Sequence, residues 1–525
     1  MKKLMIGAAA LALLTACGPS DSTDKVKDVA LKELTVRKGD PAKAADALAA
    51  MSLTDTNTGI LSFAGKTTDG ASATFTDLGI TGADDVVKVG SLTLDGLDMD
   101  GAAATFGKLT LNNIAVTVPD EEGTMKVGAI ELVNPSTELA GWIAGTLNGQ
   151  EIPFPAADKV VFDSWSMTGL TGAFSENGSD GTFGIDKIQI RDMIDLKAAQ
   201  AVIGGISIDA FDSDSDMDVK AKLGSVTVNN LDAKFVKAIQ ENAGDEDALM
   251  AAIMEVAYEN PMDPGYDSVV MNDLSFDVAG ASFALPELSA MVKRNAAGQP
   301  TRYVTKPYTM TLKADAEGGE AGAGLLQGLS VVGYEELTLK GESVADYDPD
   351  KDILSFKADK NYIELVDGAT FSFGGKIEGY DAYTKASGES FNFADLAEGA
   401  EPDPAAMQEA LGELTIHGFE FSIKDNSLLD RAFNAAATMQ GQDPEQMKQQ
   451  IGMGLAMAPM LLGDSGVDMA LVSESTGALS KFVSDGGTLT FKMNPKTPLS
   501  VASLMENPDL TALTKDSLGF SATQK

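Results

Sequence analysis

A nine-residue pattern recurs along this chain and restricts its fold more than any other feature: apolar, then Gly or Asp, any residue, apolar, any, apolar, any, a small or turn-forming residue, apolar. It is complete eight times. The copies are Val89-Gly-Ser-Leu-Thr-Leu-Asp-Gly-Leu97, Phe106–Ile114, Phe162–Leu170, Ile185–Met193, Ile203–Phe211, Leu223–Leu231, Tyr266–Leu274 and Leu411–Phe419, and weaker ones begin near Val127 and Tyr334.

Side chains alternate along a strand, so the fourth and sixth residues of each copy face one way. Those two are apolar and their neighbours are mostly Ser, Thr, Lys, Gln and Asn, which predicts an antiparallel sheet with one dry and one wet face. Leu92, Leu94, Leu109, Leu111, Ile188, Ile190, Ile206, Ile208, Val226 and Val228 are expected to be buried, and Thr93, Thr110, Gln189, Ser207 and Thr227 exposed. The first and last apolar residues have the wrong parity for the dry face. A Gly, Asp or Asn between each of them and the strand predicts a turn or bulge that resets parity by one. Where copies follow directly they lie about 17 to 23 residues apart, room for a strand, a turn and a return strand. The period drifts, which favours a long twisted antiparallel sheet of repeated short strands, groove-like in its open form, over an irregular β-solenoid.

Amphipathic patterns predict helices over Thr137 to Leu147 (stripe Leu139, Ile143, Leu147), over Asp245 to Tyr258, and near Pro41 to Met51. A helical hairpin is expected from Ser427 to Met439 and onward from Asp443, where Pro444 and Gln446 complete an N-terminal signature, with a partner strand at Gly487 to Met493. The expected organisation is thus a signal over 1–16, a tether with short helices over 17–59, a β-repeat region with inserted helices over 60–265, and a β-rich region with the hairpin over 266–525. The fold class is mainly β with flanking helices.

The 525 residues are 44% hydrophobic and 22% charged, enough for a sizeable core. With 78 acidic against 39 basic residues the net charge is −39, which repels phosphate backbones, so no nucleic acid is expected as a partner. One cysteine, Cys17, and one histidine, His417, exclude disulfide frameworks, Cys/His zinc sites and Cys–His catalytic dyads. No Ser lies in a Gly-x-Ser-x-Gly elbow, so no catalytic residue, cofactor or enzymatic activity is expected.

Residues 1 to 17 start with Lys2 and Lys3, continue through an apolar run too short to span a bilayer, and close on small residues, as an export signal does. Leu14-Thr15-Ala16-Cys17 resembles the lipobox of bacterial lipoproteins. That resemblance implies lipidation of Cys17, anchoring to a membrane, and, with Gly18 next, an outer-membrane lipoprotein facing the periplasm, the cell surface being the alternative.

Asp212, Asp214, Asp216 and Asp218 imitate the first half of a calcium loop, but Met217 and Leu223 stand where glycine and glutamate are needed. A second acidic run, Asp346 to Asp352, contains Pro349 and lies between two alternating runs. Both read as solvated turns, without tight calcium dependence. His417 reads as an outward strand residue. Met439, Met447, Met453, Met457 and Met460 read as packing between hairpin and sheet, with lipid contact as the sharper alternative.

The alternating strands, the Tyr347-Asp348-Pro349 turn and the closing run Leu489 to Leu499 make residues 60 to 510 similar to large envelope proteins of the AsmA-like and YdgA-like kind. The resemblance implies a periplasmic β-rich body, in some relatives with a groove that handles lipids. The lipobox stands here in place of their usual N-terminal membrane helix. The expected function is a non-catalytic, membrane-anchored scaffold or binding surface with a lipid or an envelope protein as partner. The alternatives are a surface adhesin or carbohydrate-binding lipoprotein and a hydrolase using two carboxylates about 5 to 9.5 Å apart.

Overall fold

A computed structural model describes residues 30–54, 61–81, 86–117, 124–147, 152–176, 179–212, 217–232, 260–315, 319–390, 404–461, 467–506 and 513–525. The fold is mainly β, a long 21-stranded antiparallel sheet with ten flanking α-helices among the described residues and a separate two-stranded ribbon. Antiparallel pairing excludes the solenoid alternative, in which successive coils stack in parallel. The predicted helix over 245–258 lies outside the described residues.

The chain divides into two compact units. The first contains α1 (Ala44–Ala50), β1 (Leu61–Ser62), β2 (Gly65–Asp69), β3 (Ser72–Thr81), β4 (Val86–Asp95), the ribbon β5 (Asp98–Asp100) and β6 (Ala103–Thr105), and β7 (Lys108–Thr117). It continues with β8 (Thr124–Val133), α2 (Thr137–Leu147), β9 (Phe162–Glu176), β10 (Ser179–Ile194), β11 (Lys197–Asp212), β12 (Met217–Asp232) and β13 (Ser268–Val278). From β3 to β13 the strands form a meander, each paired with the next and skipping only the ribbon. Consecutive copies of the nine-residue pattern occupy neighbouring strands, so the interval holds one long strand and its turn, not two short strands.

The parity reset is real, but it is not a bulge. In six copies the eighth residue is left-handed: Gly96 (φ +68°), Asn113 (+55°), Gly169 (+64°), Asp192 (+51°), Asn230 (+51°) and Asp273 (+55°). Asn134, eighth in the weaker copy from Val127, joins them at +51°. Only Gly, Asn and Asp enter this region readily, which accounts for the residue choice. Pairing resumes in the same register on either side, as Val89↔Ile114 and Ser91↔Asn112 flank the opposed Gly90 and Asn113, so neither strand gains a residue. The reversal of side-chain direction brings the ninth residue in phase with the fourth and sixth, and the first, set opposite the ninth of the neighbouring copy as Val89 is opposite Ile114, is buried with them. Val89, Leu92, Leu94 and Leu97 are all at most 3% exposed.

Two copies are corrected by the structure. On β11 the left-handed residue is Gly205 (φ +65°), so the copy runs from Ala198 to Ile206; alanines at its first and fourth positions, and Ala199 in place of Gly or Asp at the second, obscure the pattern. The copy at Leu411–Phe419 is not one, since Leu411 and Gly412 end a helix and Gly418 is not left-handed. The polar set is corrected as well: Ser207 is exposed, whereas Thr93, Thr110, Gln189 and Thr227 are half-buried. Neighbouring strands shield them, with Thr74 Oγ1 to Thr93 Oγ1 at 3.2 Å and Gln189 Nε2 to Ser164 Oγ at 3.5 Å.

The segment from Lys32 to Asp40 crosses the strands along the left-handed residues at one of their ends, Gly96, Asn134 and Asp192. Lys32 N–H donates to Asp192 (3.2 Å) on β10. Asn134, just past β8, donates to Thr35 O and accepts from Arg37 N–H, both at 2.8 Å. The Arg37 guanidinium donates to Phe106 O (3.0 Å) and Pro135 O, and Asp40 N–H to Leu97 O (3.0 Å).

The second unit contains β14 (Ala281–Arg294), β15 (Pro300–Ala314), α3 (Glu320–Val331), β16 (Glu336–Asp348), β17 (Ile353–Phe356), β18 (Tyr362–Leu365), β19 (Ala369–Glu378), α4 (Tyr380–Ser390) and α5 (Pro404–Gly412). After these come β20 (Thr415–Asp425), α6 (Leu428–Gln440), α7 (Pro444–Leu461), α8 (Met469–Asp485), β21 (Thr488–Met493), β22 (Leu499–Ser500), α9 (Val501–Glu506), α10 (Lys515–Leu518) and β23 (Ser521–Gln524). The predicted hairpin is α6–α7, with Asp443 accepting Glu445 N–H at 2.9 Å and Gln446 N–H at 3.1 Å. Helix α8, which the sequence reading missed, packs on the sheet through Ala478 and Phe482 against Leu489 and Ala522. Its signal was present in Asp468 as N-cap ahead of Val472, Leu479 and Phe482.

Asp468 carries a pH-dependent contribution to this unit. Backbone hydrogen bonds from Lys515 N–H (2.6 Å) and Ala470 N–H (2.9 Å) hold its carboxyl below the ordinary value of 3.8. A carboxyl with a depressed folded value stabilises above its unfolded pKa and loses that contribution as pH falls through the folded one. The stability difference between the wild type and Asp468→Ala is therefore expected to be constant from pH 7 to 5 and to shrink below about pH 4, as read by urea unfolding across that range. A difference that grows on acidification would contradict the assignment.

Candidate functional site

Antiparallel pairing lines up the apolar positions of successive copies across the first unit. Phe75, Leu92, Leu111, Ile130, Met167, Ile188, Ile203, Val226 and Met271 form one row over nine strands. Ala73, Leu94, Leu109, Leu132, Trp165, Ile190, Ala201, Val228 and Val269 form the next. The pattern reads nearly the same in both directions about its fifth residue, so an antiparallel neighbour sets fourth against sixth and first against ninth.

Cover over these rows is uneven. Phe75, Leu92 and Leu94 are at most 1% exposed and share a core cluster with Leu48 of α1 and with Leu139 and Ala140 of α2. Val226, Val228 and Met271 are also buried. Between them, Leu111, Ile130, Met167, Trp165, Ile188, Ile190 and Ile203 are only half-buried, as are Ile185 and Ile206 beside them, with Trp165, Met167, Ile185 and Ile190 reaching the edge of the same core cluster. The next row, Phe183, Ile208, Ala221 and Phe276, ends with Phe276 40% exposed. The Phe183 ring lies over Gly172, where a Cβ would come within 2.2 Å of it. Those on β9 to β11 form an apolar, partly open strip, free of acids and bases. It offers apolar surface and no groups for acid–base or nucleophilic work.

The residues singled out in the sequence do not converge on it. Cys17, Asp214 and Asp216 lie outside the described residues. Asp212 pairs with Met217 at the β11–β12 hairpin, and Asp218 accepts from Lys220 Nζ at 2.5 Å, a bond that holds the lysine above its ordinary pKa. Asp346 to Asp352 is the expected hairpin turn between β16 and β17, with Asp348 bound by Lys351 (2.5 Å) and held below its ordinary value by it. Asp352 caps α4 through Asp381 N–H at 3.0 Å. Among the described residues no three His, Cys, Asp or Glu side chains are grouped to hold a metal.

His417 is not the plain surface residue expected. It occupies a bulge on β20 opposite the step from Lys376 to Ile377, is 22% exposed, and its Nε2 lies 2.7 Å from Glu378 Oε2. The methionines are corrected in the other direction. Met447 is 8% exposed and packs with Phe433 and Ala437, but Met439, Met453, Met457 and Met460 are 73%, 61%, 56% and 82% exposed. Helix α8 takes the place on the sheet, leaving α7 with an outer face. No described helix is long and apolar enough to cross a membrane.

A family model described only as an uncharacterized protein matches residues 362–525, within the second unit and apart from the apolar strip. No curated protein and no solved structure matches the chain.

Proposed function

We propose that this protein is a non-catalytic, membrane-anchored envelope lipoprotein whose β-rich body is a scaffold and binding surface for acyl chains, facing the periplasm from the outer membrane. The observation that carries the reading is the half-covered apolar strip at Met167, Ile188, Ile190 and Ile203 in rows whose end residues, Phe75 and Leu92 at one end and Val226 and Met271 at the other, are buried. An apolar sheet face is covered by helices, by a second sheet or by ligand. The strip's lack of charge suits acyl chains, and the net charge of −39 disfavours anionic headgroups beside it. Native mass spectrometry of the unlipidated chain from Gly18 is expected to find co-purified lipid, and Ile190→Glu to lose it. Lipid-free wild-type protein that also fails to bind a fluorescent fatty acid at micromolar concentration would leave only the scaffold.

The anchor has its own test. The coincidence of export signal and lipobox at the single cysteine supports lipidation at Cys17. Cells fed a tagged palmitate are expected to label the wild type and not Cys17→Ser. Equal labelling of both would remove the lipoprotein reading.

A further inference from the structure

We infer that the outer face of α7, from Ile451 to Leu461, docks in the plane of a zwitterionic phospholipid bilayer, at the boundary between headgroups and acyl chains. Met453, Met457, Met460 and Leu461 follow at helical spacing on one stripe and are 61%, 56%, 82% and 78% exposed. Solitary exposed apolar residues are ordinary on a soluble surface, whereas a contiguous set marks an interaction site. From Gln449 to Gly463 the chain has no charged residue, although 22% of the whole sequence is charged.

The stripe cannot turn inward. Met447 is locked against Phe433 and Ala437, Lys448 is held by Asp430 of α6 at 2.7 Å, and Gly452 O accepts from Ser480 Oγ of α8 at 3.5 Å. Its outer methionines are unbranched and adaptable, suited to a disordered partner more than to a shaped protein pocket.

Charge selects the occupant. A second copy would bring its own net −39 against this one, and an anionic bilayer would be repelled likewise. A neutral surface meets neither penalty, and the patch offers no charge to answer one. Eleven helical residues span about 16 Å, half of a hydrocarbon core, so the helix lies in the interface and does not cross it. The inference rests on the membrane reading above for its setting. If Cys17 is anchored, the 13 residues from there to Ala30 reach roughly 45 Å at full extension, keeping the body near the bilayer and raising the effective concentration of a weak contact.

The unlipidated chain from Gly18 contains no cysteine, so one introduced thiol reports one position. Met457→Cys and, as a control, Lys351→Cys are labelled with a polarity-sensitive dye and mixed with phosphatidylcholine vesicles. A blue shift at 457 with none at 351 is expected, and Met457→Glu with Met460→Glu should weaken vesicle binding at least about tenfold with an unchanged melting temperature. No shift at 457, equal shifts at both positions, a shift that grows with protein concentration in the absence of vesicles, or a requirement for anionic lipid would each overturn the inference. Because this chain carries no lipid, the outcome is independent of palmitate labelling at Cys17, and either result can fail alone.

Discussion

Gly96→Val is expected to destabilise the first unit by about 3 kcal/mol or more. Gly96 holds φ +68°, a conformation that a β-branched residue adopts only with strain. A Cβ there would also stand 2.2 Å from Arg37 O, so the crossing segment Lys32 to Asp40 has to move and give up the Arg37 bonds to Phe106 O and Pro135 O. Both tryptophans, Trp142 and Trp165, lie in this unit, so the urea midpoint of tryptophan fluorescence reads it alone. Asn113→Gly is the informative control. Asn113 is left-handed at +55° with no segment crossing it among the described residues, and glycine tolerates that angle, so a change within about 1 kcal/mol is expected. Wild-type stability in Gly96→Val would refute the role assigned to the eighth position.

The second large effect belongs to Asn361, which is 1% exposed. Strand β16 pairs along one edge with β17 through Ala345 to Asp348 and with β18 through Leu339 to Glu342, which leaves Ser343 and Val344 without a strand opposite. The Asn361 amide fills that gap. Its Oδ1 accepts Val344 N–H (2.9 Å) and the Ser343 hydroxyl, while Nδ2 donates to Val344 O (3.0 Å) and Lys357 O (2.7 Å). Asn361→Leu strands a buried N–H and two carbonyls, each worth roughly 1–3 kcal/mol when left unpaired, so a loss of about 3–5 kcal/mol is expected. Hydrogen exchange at Val344 N–H should accelerate with it. Slow exchange at Val344 in a stable Asn361→Leu variant would mean that another group satisfies the edge.

These two residues mark the limits of what a linear reading yields. Gly96 was legible because its constraint is local: a residue between two apolar positions of opposite parity must take an angle open to Gly, Asn or Asp. The same logic placed Leu92, Leu94, Leu109, Val226 and Val228 in the buried rows, whereas Leu111, Ile188, Ile190, Ile206 and Ile208 of the expected buried set are half-buried. It misplaced the copy on β11, since Ala198 and Ala201 carry too little apolar signal for a frame that the left-handed Gly205 and the pairing of Ile203 with Ile188 and Val226 reveal. Nothing around Asn361 in the chain announces its role, because Val344 is 17 residues away and comes opposite only when two short strands leave a gap.

The candidate surfaces divide the same way. That an apolar face exists followed from the period of the pattern, which is a property of neighbouring residues. How far it is covered was decided by packing: α1 and α2 share the core of Phe75 and Leu92, while Ile188 and Ile190 stay half-buried. Methionine at 453, 457 and 460 is equally compatible with a core and with an outer face, and α8, by taking the position against Leu489 and Ala522, turned it outward. Strand direction and the left-handed kinks are thus consequences of local sequence, since each is set within nine residues by sterics and side-chain parity. The exposure of an apolar row depends on which distant element reaches it, and that competition is settled only in the folded chain.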